Sequence, residues 1–198
     1  MKRINNFFLV IVVLSNFFIS DIIAENRITV IGSPEAKISV KVFSSLTCPH
    51  CATFHLKVFE NLKKDFIDKK LVKFEHHGFP LDLAALNAEL IVRCSNNVNK
   101  KFQLLSEIYK KQNEWAVGSD IVPINESIKK IGLSLGLQEK NMDKCLGDEE
   151  MQDQILNERI EAQKKYSINS TPTILINEKK YTGTHNYKSF RKEIEKLL

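Results

Sequence analysis

The chain has 198 residues, 43% of them hydrophobic and 27% charged, with a formal charge of +5 at pH 7. It carries no internal repeat or low-complexity stretch, which excludes solenoids and disordered linkers and leaves one sizeable domain, with room for an insert. The mild positive balance also excludes a nucleic-acid binder, because lysines alternate with acids, as in "NLKKDFIDKK" (61–70) and "SFRKEIEK" (189–196), and read as a solvated surface.

In chain order, "MKRINNFFLVIVVLSNFFISDIIA" (1–24) starts basic, continues apolar from Phe7 to Phe18 and ends on the small Ala24. This is the grammar of a secretory signal peptide. The apolar run is shorter than the roughly 20 residues of a spanning helix, and Ser15 and Asn16 interrupt it. Export with cleavage near residue 24 is the expectation. An uncleaved anchor is the alternative, because the large Ile22 stands where a small residue is usual before a cut. Cleavage lowers the formal charge from +5 to +4 and leaves about 174 residues.

"ISVKVF" (38–43) is rich in β-branched residues and reads as a strand. After "SSLT" a helix is expected to open at "CPHC" (48–51), with Phe54, Val58, Leu62 and Phe66 as its apolar stripe, followed by a second strand at "LVKFEH" (71–76). Strand, helix and strand within about forty residues imply a parallel pair with a right-handed crossover. From 81 to 166 the periodicity is helical. Leu83, Leu86, Leu90, Ile91 and Cys94 form one stripe, a stretch around Phe102 to Tyr109 forms another, and Met151, Ile155 and Ile160 form a third. "TILIN" (173–177), a turn through Glu178 and Lys179, and "KYTG" (180–183) read as an antiparallel hairpin. A last helix presents Tyr187, Phe190, Ile194 and Leu197. The plan is βαβ, a helical insert, then ββα.

All four cysteines follow the export segment, where thiols can pair. A bridge between Cys48 and Cys51 closes too short a loop to constrain the unfolded chain much, so redox chemistry is the better reason for its placement. At the first turn of a helix a thiolate meets unpaired backbone N–H groups and the positive end of the helix dipole. Pro49 suits that turn, where a missing N–H costs nothing. His50 adds an imidazole that can donate to the sulfur. Cys48 is thus expected to be an exposed nucleophile of low pKa, and Cys51 the shielded resolving thiol. Because the anion exists only in the reduced protein, its stabilisation would make the closed bridge an oxidant.

Metal binding is the reading of another class. Further zinc ligands would have to come from Cys94 with Cys145 or from His76 and His77, and neither set forms a second knuckle. Haem attachment needs a histidine where Ala52 stands. No metal or other cofactor is expected. His76 and His77 read as surface or fold-closing residues, Trp115 as packing, and His55 and His185 have no legible role. Cys94 and Cys145 lie on apolar helix stripes, Cys94 with Leu90 and Ile91, Cys145 with Met142 and Leu146. Two readings stand for them, burial as small hydrophobes or a second disulfide within the insert, and the disulfide is the one adopted.

"CPHC" (48–51) at a helix start, "GFPLD" (78–82) leading into helices and "STPT" (170–173) before the closing hairpin resemble, in order and spacing, the DsbA family of exported thiol-disulfide oxidoreductases. The resemblance covers essentially the whole mature chain. It implies an α/β thioredoxin fold in two parts, 25–80 and 167–198, around an inserted helical domain, 81–166. It implies dithiol-disulfide exchange through Cys48 and Cys51, with Pro49 and His50 tuning them, and a cis peptide at Thr171–Pro172 that offers Thr171 to substrate. Valine is more usual than threonine at that position in the family. It implies a periplasmic monomer that acts on reduced exported proteins and is reoxidised by a DsbB-like membrane quinone reductase. Disulfide isomerisation or reduction is the alternative within the same class.

Overall fold

The structure is a computed structural model that describes residues 28–198; the expected signal peptide lies outside the described residues. Five strands form one mixed sheet: β1 (Thr29–Ile31), β2 (Ile38–Ser44), β3 (Val72–Gly78), β4 (Thr173–Ile176) and β5 (Lys179–Lys180), in the order β1-β3-β2-β4-β5. β2 and β3 run parallel, with Val40 opposite Phe74 and Val42 opposite His76. The other neighbours are antiparallel. One face of the central strands is buried throughout, by Ile38, Val40 and Val42 on β2 and Val72, Phe74 and His76 on β3, whereas Ser39, Lys41, Lys73 and His77 leave the other face only partly covered.

Helix α1 connects β2 to β3 through four consecutive segments, Pro49–Phe54, His55–Phe59, Glu60–Leu62 and Lys63–Ile67, the second and fourth being π turns. A strict four-residue repeat drifts off one face of a helix of 3.6 residues per turn. The two wider i→i+5 turns correct that drift, so Phe54, Val58, Leu62 and Phe66 all stay buried. Between β3 and β4 lie six helices: α2 (Leu83–Arg93), α3 (Val98–Lys110), α4 (Gln112–Trp115), α5 (Ile121–Ser134), α6 (Glu139–Leu146) and α7 (Glu149–Tyr166). Helix α8 (Tyr187–Glu195) closes the chain by packing Phe190 and Ile194 against α1. The fold is thus a thioredoxin-like α/β fold with a helical insertion. One apolar core runs from the sheet through α1 into α3 and α5, so insert and sheet share a buried interior.

The structure departs from the sequence reading in several places. β1 was not expected; it pairs antiparallel with β3 at the sheet edge. The closing turn sits one residue earlier than expected, at Asn177 and Glu178, both with positive φ (47° and 64°). Two residues of that kind match the twist of a tight hairpin, and asparagine tolerates the conformation. The Asn177 side chain also accepts the Ser39 N–H at 2.8 Å. Leu83 and Ile160, placed on buried stripes, are exposed. The reason at Leu83 is the Asp82 cap: the carboxylate accepts the Ala85 N–H at 2.7 Å, which starts the helix with its first residue turned outward. His76 is not at the surface: it is 3% exposed and closes the fold from within. Trp115 packs as expected, fully buried, with its indole N–H donated to the Ile108 carbonyl at 2.8 Å.

Cys94, at the end of α2, and Cys145, in α6, form a disulfide across 51 residues. A loop of that length is expected to stabilise the fold by about 4 kcal/mol by restricting the unfolded chain. Denaturant unfolding of a Cys94→Ala/Cys145→Ala variant should show a loss of that order, with the Cys48 and Cys51 chemistry intact. A loss under about 1 kcal/mol would deny the bridge a stabilising role.

Candidate active site

Cys48 is the N-cap of α1: its Sγ accepts the Cys51 N–H at 3.4 Å, and Pro49 occupies the first helical position, where no N–H is needed. The preceding loop is held from several sides. Gln112 of α4 donates its side-chain amide to the Leu46 carbonyl at 2.7 Å and the Cys48 carbonyl at 3.2 Å. Thr47 donates to Asp82 at 2.7 Å, which ties the loop to the start of α2. The peptide at Thr171–Pro172 is cis, as the resemblance implied, and the Thr171 carbonyl lies 3.4 Å from Cys48 Sγ. Helix start, insert and the loop before β4 therefore meet at Cys48, the insert through its carbonyl and the other two through its sulfur.

Cys48 is less open than expected, 8% exposed against 1% for Cys51, yet it is the accessible member of the pair. Both are free thiols here. The Cys48 thiol is lowered to about 5. The hydrogen bond from the Cys51 thiol is the largest cause and outweighs the opposing effect of burial. The Thr171 hydroxyl and then the backbone N–H groups of Cys51 and His50 add to it. Cys51 is pushed far above the ordinary thiol range, first by burial, then by its hydrogen bond to Cys48 and the charge there. One sulfur thus carries the anion and its neighbour carries the proton.

His50 differs from the sequence reading. Its side chain is exposed and makes no hydrogen bond to Sγ among the described residues, so it is the backbone N–H of this residue that favours the thiolate. Its imidazole instead lines a groove of about 470 Å³, together with Phe54, Thr171, Pro172, His185 and Asn186. His185, without a legible role in the sequence, has its pKa lowered by partial burial and then by His50. Leu81 is 52% exposed, whereas Phe79 is buried under the Arg159 guanidinium. A larger basin between β5 and α8 is lined by Lys179, Lys180, Lys192 and Lys196 and does not include the cysteines.

Sequence reasoning missed Gln112, which reaches the Leu46 and Cys48 carbonyls from the insert. No local signal marks it, because it meets Cys48 across 64 residues. His76 bonds to Glu89 and His77 to Glu75, each at 3.0 Å. Among the described residues no three His, Cys, Asp or Glu side chains gather in a way that could hold a metal ion.

The family model for thioredoxin matches residues 25–196. Among curated relatives, disulfide bond formation protein D of Bacillus subtilis is 29% identical over 179 residues, covering 85% of this chain and 76% of its own length. A Rickettsia bellii protein assigned to protein-disulfide oxidoreduction is 27% identical over 148 residues, 75% of this chain but only 56% of its own length. The chain therefore spans little more than half the length of that relative. Among solved structures, alpha-DsbA1 of Wolbachia pipientis superposes with a TM-score of 0.79 at 26% identity, covering 86% of this chain and 90% of that one. The match along nearly the whole described chain, on a fold that sets a helix-capping cysteine pair against a cis-proline loop, leaves one conclusion: the chain belongs to the thioredoxin family, as a DsbA-like member.

Proposed function

We propose that the protein is an exported protein-disulfide oxidoreductase that introduces disulfides into reduced substrate proteins through Cys48 and Cys51. The observation that carries this reading is the split between the two sulfurs, Cys48 held at about 5 and Cys51 far above its ordinary value. In the oxidised protein a substrate thiolate attacks Cys48 Sγ, the bond to Cys51 breaks, and a mixed disulfide forms at Cys48. A second substrate thiolate then attacks the substrate sulfur, the substrate bridge closes and Cys48 leaves as the stabilised thiolate. The groove beside the Thr171–Pro172 peptide, with His50 at its rim, is where the substrate chain would lie. Pro49 keeps the helix start free of a competing donor.

The Cys94–Cys145 bridge supports an oxidising compartment, and the Bacillus relative is named for disulfide bond formation. Residues 1–24 would direct export to the periplasm, and a DsbB-like membrane quinone reductase would reoxidise the pair. No described helix is long and apolar enough to cross a membrane. We read residues 25–80 and 167–198 as the thioredoxin-like part, 81–166 as the insert, and the protein as a monomer.

The reduction potential tests the direction of the chemistry. A Cys48 thiol near 5 is ionised at pH 7 by about two pKa units, roughly 3 kcal/mol in favour of the reduced form, or roughly 60 mV for two electrons. Equilibrated with glutathione, the protein should therefore lie well to the oxidising side of thioredoxin at about −270 mV. A value at or below thioredoxin's would make the protein a reductant.

A further inference from the structure

In the sequence the lysines of the last helix alternate with acids and read as a solvated surface, but the folded helix sorts them. Ser189, Lys192, Glu193 and Lys196 recur at helical spacing and line the basin beside β5, whereas Arg191 and Glu195, paired with each other at 2.7 Å, do not. The opposite wall carries Lys179 and Lys180, and the space between is about 640 Å³. Among the described residues only one of these four lysines has a carboxylate partner, Lys196 with Glu193 at 3.0 Å. Lys180 donates to the Ser167 carbonyl at 3.0 Å, which leaves its charge uncompensated. Glu178, the acid of the hairpin turn, is bound instead to Lys41 and to the Tyr166 hydroxyl. Lysines on an edge strand guard against pairing with another chain, but that reason does not extend to Lys192 and Lys196 on the facing helix.

The basin adjoins the groove beside the cysteines, because Thr184 lines both. The segment between them is held from several sides. The Tyr181 hydroxyl donates to the Thr184 carbonyl at 3.0 Å, and Gly183 lies so close to that ring that a Cβ there would stand 2.5 Å from the phenol oxygen. Thr184 Oγ1 donates to Ser189 Oγ at 2.8 Å and accepts from the Asn186 side-chain amide at 2.8 Å. A chain lying in the groove can thus continue over Thr184 into the basin without rearrangement.

We infer that the basin selects substrates by binding an acidic segment that flanks the reacting cysteine of a reduced protein. This rests on the function proposed above. A cleft lined by one sign of charge focuses its field and raises the local concentration of a chain of opposite sign. Two basic walls that face each other suit a strand of chain between them, whereas a flat bilayer surface would meet only their rims. Each exposed ion pair is worth little, so the selection is a graded preference for acidic flanks and not a requirement.

The test uses two dithiol peptides that differ only in their flanks, a short run of glutamates on both sides of the cysteine pair against the same run of glutamines. Rapid mixing of the oxidised protein with each peptide gives a limiting rate and a half-saturation concentration. The limiting rates should agree within about twofold, and half-saturation by the glutamate peptide should come at about fivefold lower concentration, with the gap closing at about 0.5 M salt. Lys179→Gln/Lys192→Gln should shrink the gap to less than about twofold. Lys140→Gln/Lys144→Gln, which removes the same charge from exposed positions of α6, should keep it. Cysteine-free, fluorescein-labelled versions of the peptides should show the same preference by anisotropy, with no chemistry involved. Equal half-saturation for the two peptides would overturn the inference. So would a gap that survives Lys179→Gln/Lys192→Gln, or one that Lys140→Gln/Lys144→Gln also removes, since net charge would then explain it. Lysine-dependent sedimentation with phosphatidylglycerol vesicles in place of any peptide preference would overturn it too, and would make the basin a lipid contact. Should neither dithiol peptide be oxidised while the cysteine-free glutamate peptide still binds through the lysines, the proposed function fails and the basin stands as a site for acidic chains.

Discussion

Cys51→Ala is expected to abolish catalytic oxidation while leaving Cys48 reactive. Without the second sulfur no internal bridge can form, so dithiol oxidation should fall to the uncatalysed background. Incubated with oxidised glutathione, the variant should accumulate a mixed disulfide at Cys48, seen in an intact-mass spectrum as the gain of one glutathione. The variant has a second readout. The Cys51 thiol makes the largest contribution to lowering the Cys48 pKa, and a hydrogen bond to a charged group is worth about 1.5 to 3 kcal/mol. At 1.4 kcal/mol per pKa unit, Cys48 should therefore rise from about 5 to about 6 or 7 in the variant. A Cys48 unchanged near 5 would show that the helix N-terminus and Thr171 suffice, and that the two thiols are not coupled as described.

Glu89→Gln is expected to cost about 3 to 5 kcal/mol at pH 7, the usual loss when one partner of a buried ion pair is removed. Glu89 is 2% exposed in α2. It accepts from His76 Nε2 at 3.0 Å and from Arg93 Nε at 3.1 Å, and Arg93 continues to Glu158 of α7 at 2.6 Å. The cluster thus ties β3 to two helices of the insert. Gly78 makes room for it, since a Cβ there would stand 2.7 Å from Glu89 Cδ. Burial by itself would raise the Glu89 carboxyl, but His76 and then Arg93 hold it down to about 2. An unfolded glutamate titrates near 4.3, at about two units higher. The stabilisation is therefore complete above that value and fades as pH falls from about 4.5 towards 2. Urea unfolding should show a gap between wild type and variant that is constant at neutral pH and closes across this acidic window. A small gap that does not change with pH would mean that the cluster is solvated.

Much of the fold could be read locally because its determinants are local. β2, α1 and β3 follow from β-branched runs and a four-residue apolar repeat, and the N-cap follows from cysteine, proline and spacing. The elements that went unread depend on distant partners. β1 is three residues long and exists because β3 offers it an edge. Glu89 interrupts an apolar helix and is intelligible only once His76 and Arg93 are seen around it. At the site, the sequence supplied the right residue types and an incomplete reason. Helix start and His50 imidazole were expected to hold the anion, whereas the Cys51 thiol contributes most and His50 acts through its backbone. Gln112 reaches the Cys48 carbonyl from the insert, and no motif in this one sequence could announce it.

The central claim is that Cys48 is a thiolate at neutral pH. Titrating the reduced protein while following thiolate absorbance near 240 nm, with Cys48→Ala subtracted as a blank, measures it directly. The expected result is a single midpoint at about 5, with Cys51 silent throughout the range in which the protein stays folded. A midpoint near the ordinary thiol value of about 8.5 would contradict the claim, and with it the oxidising direction of the chemistry.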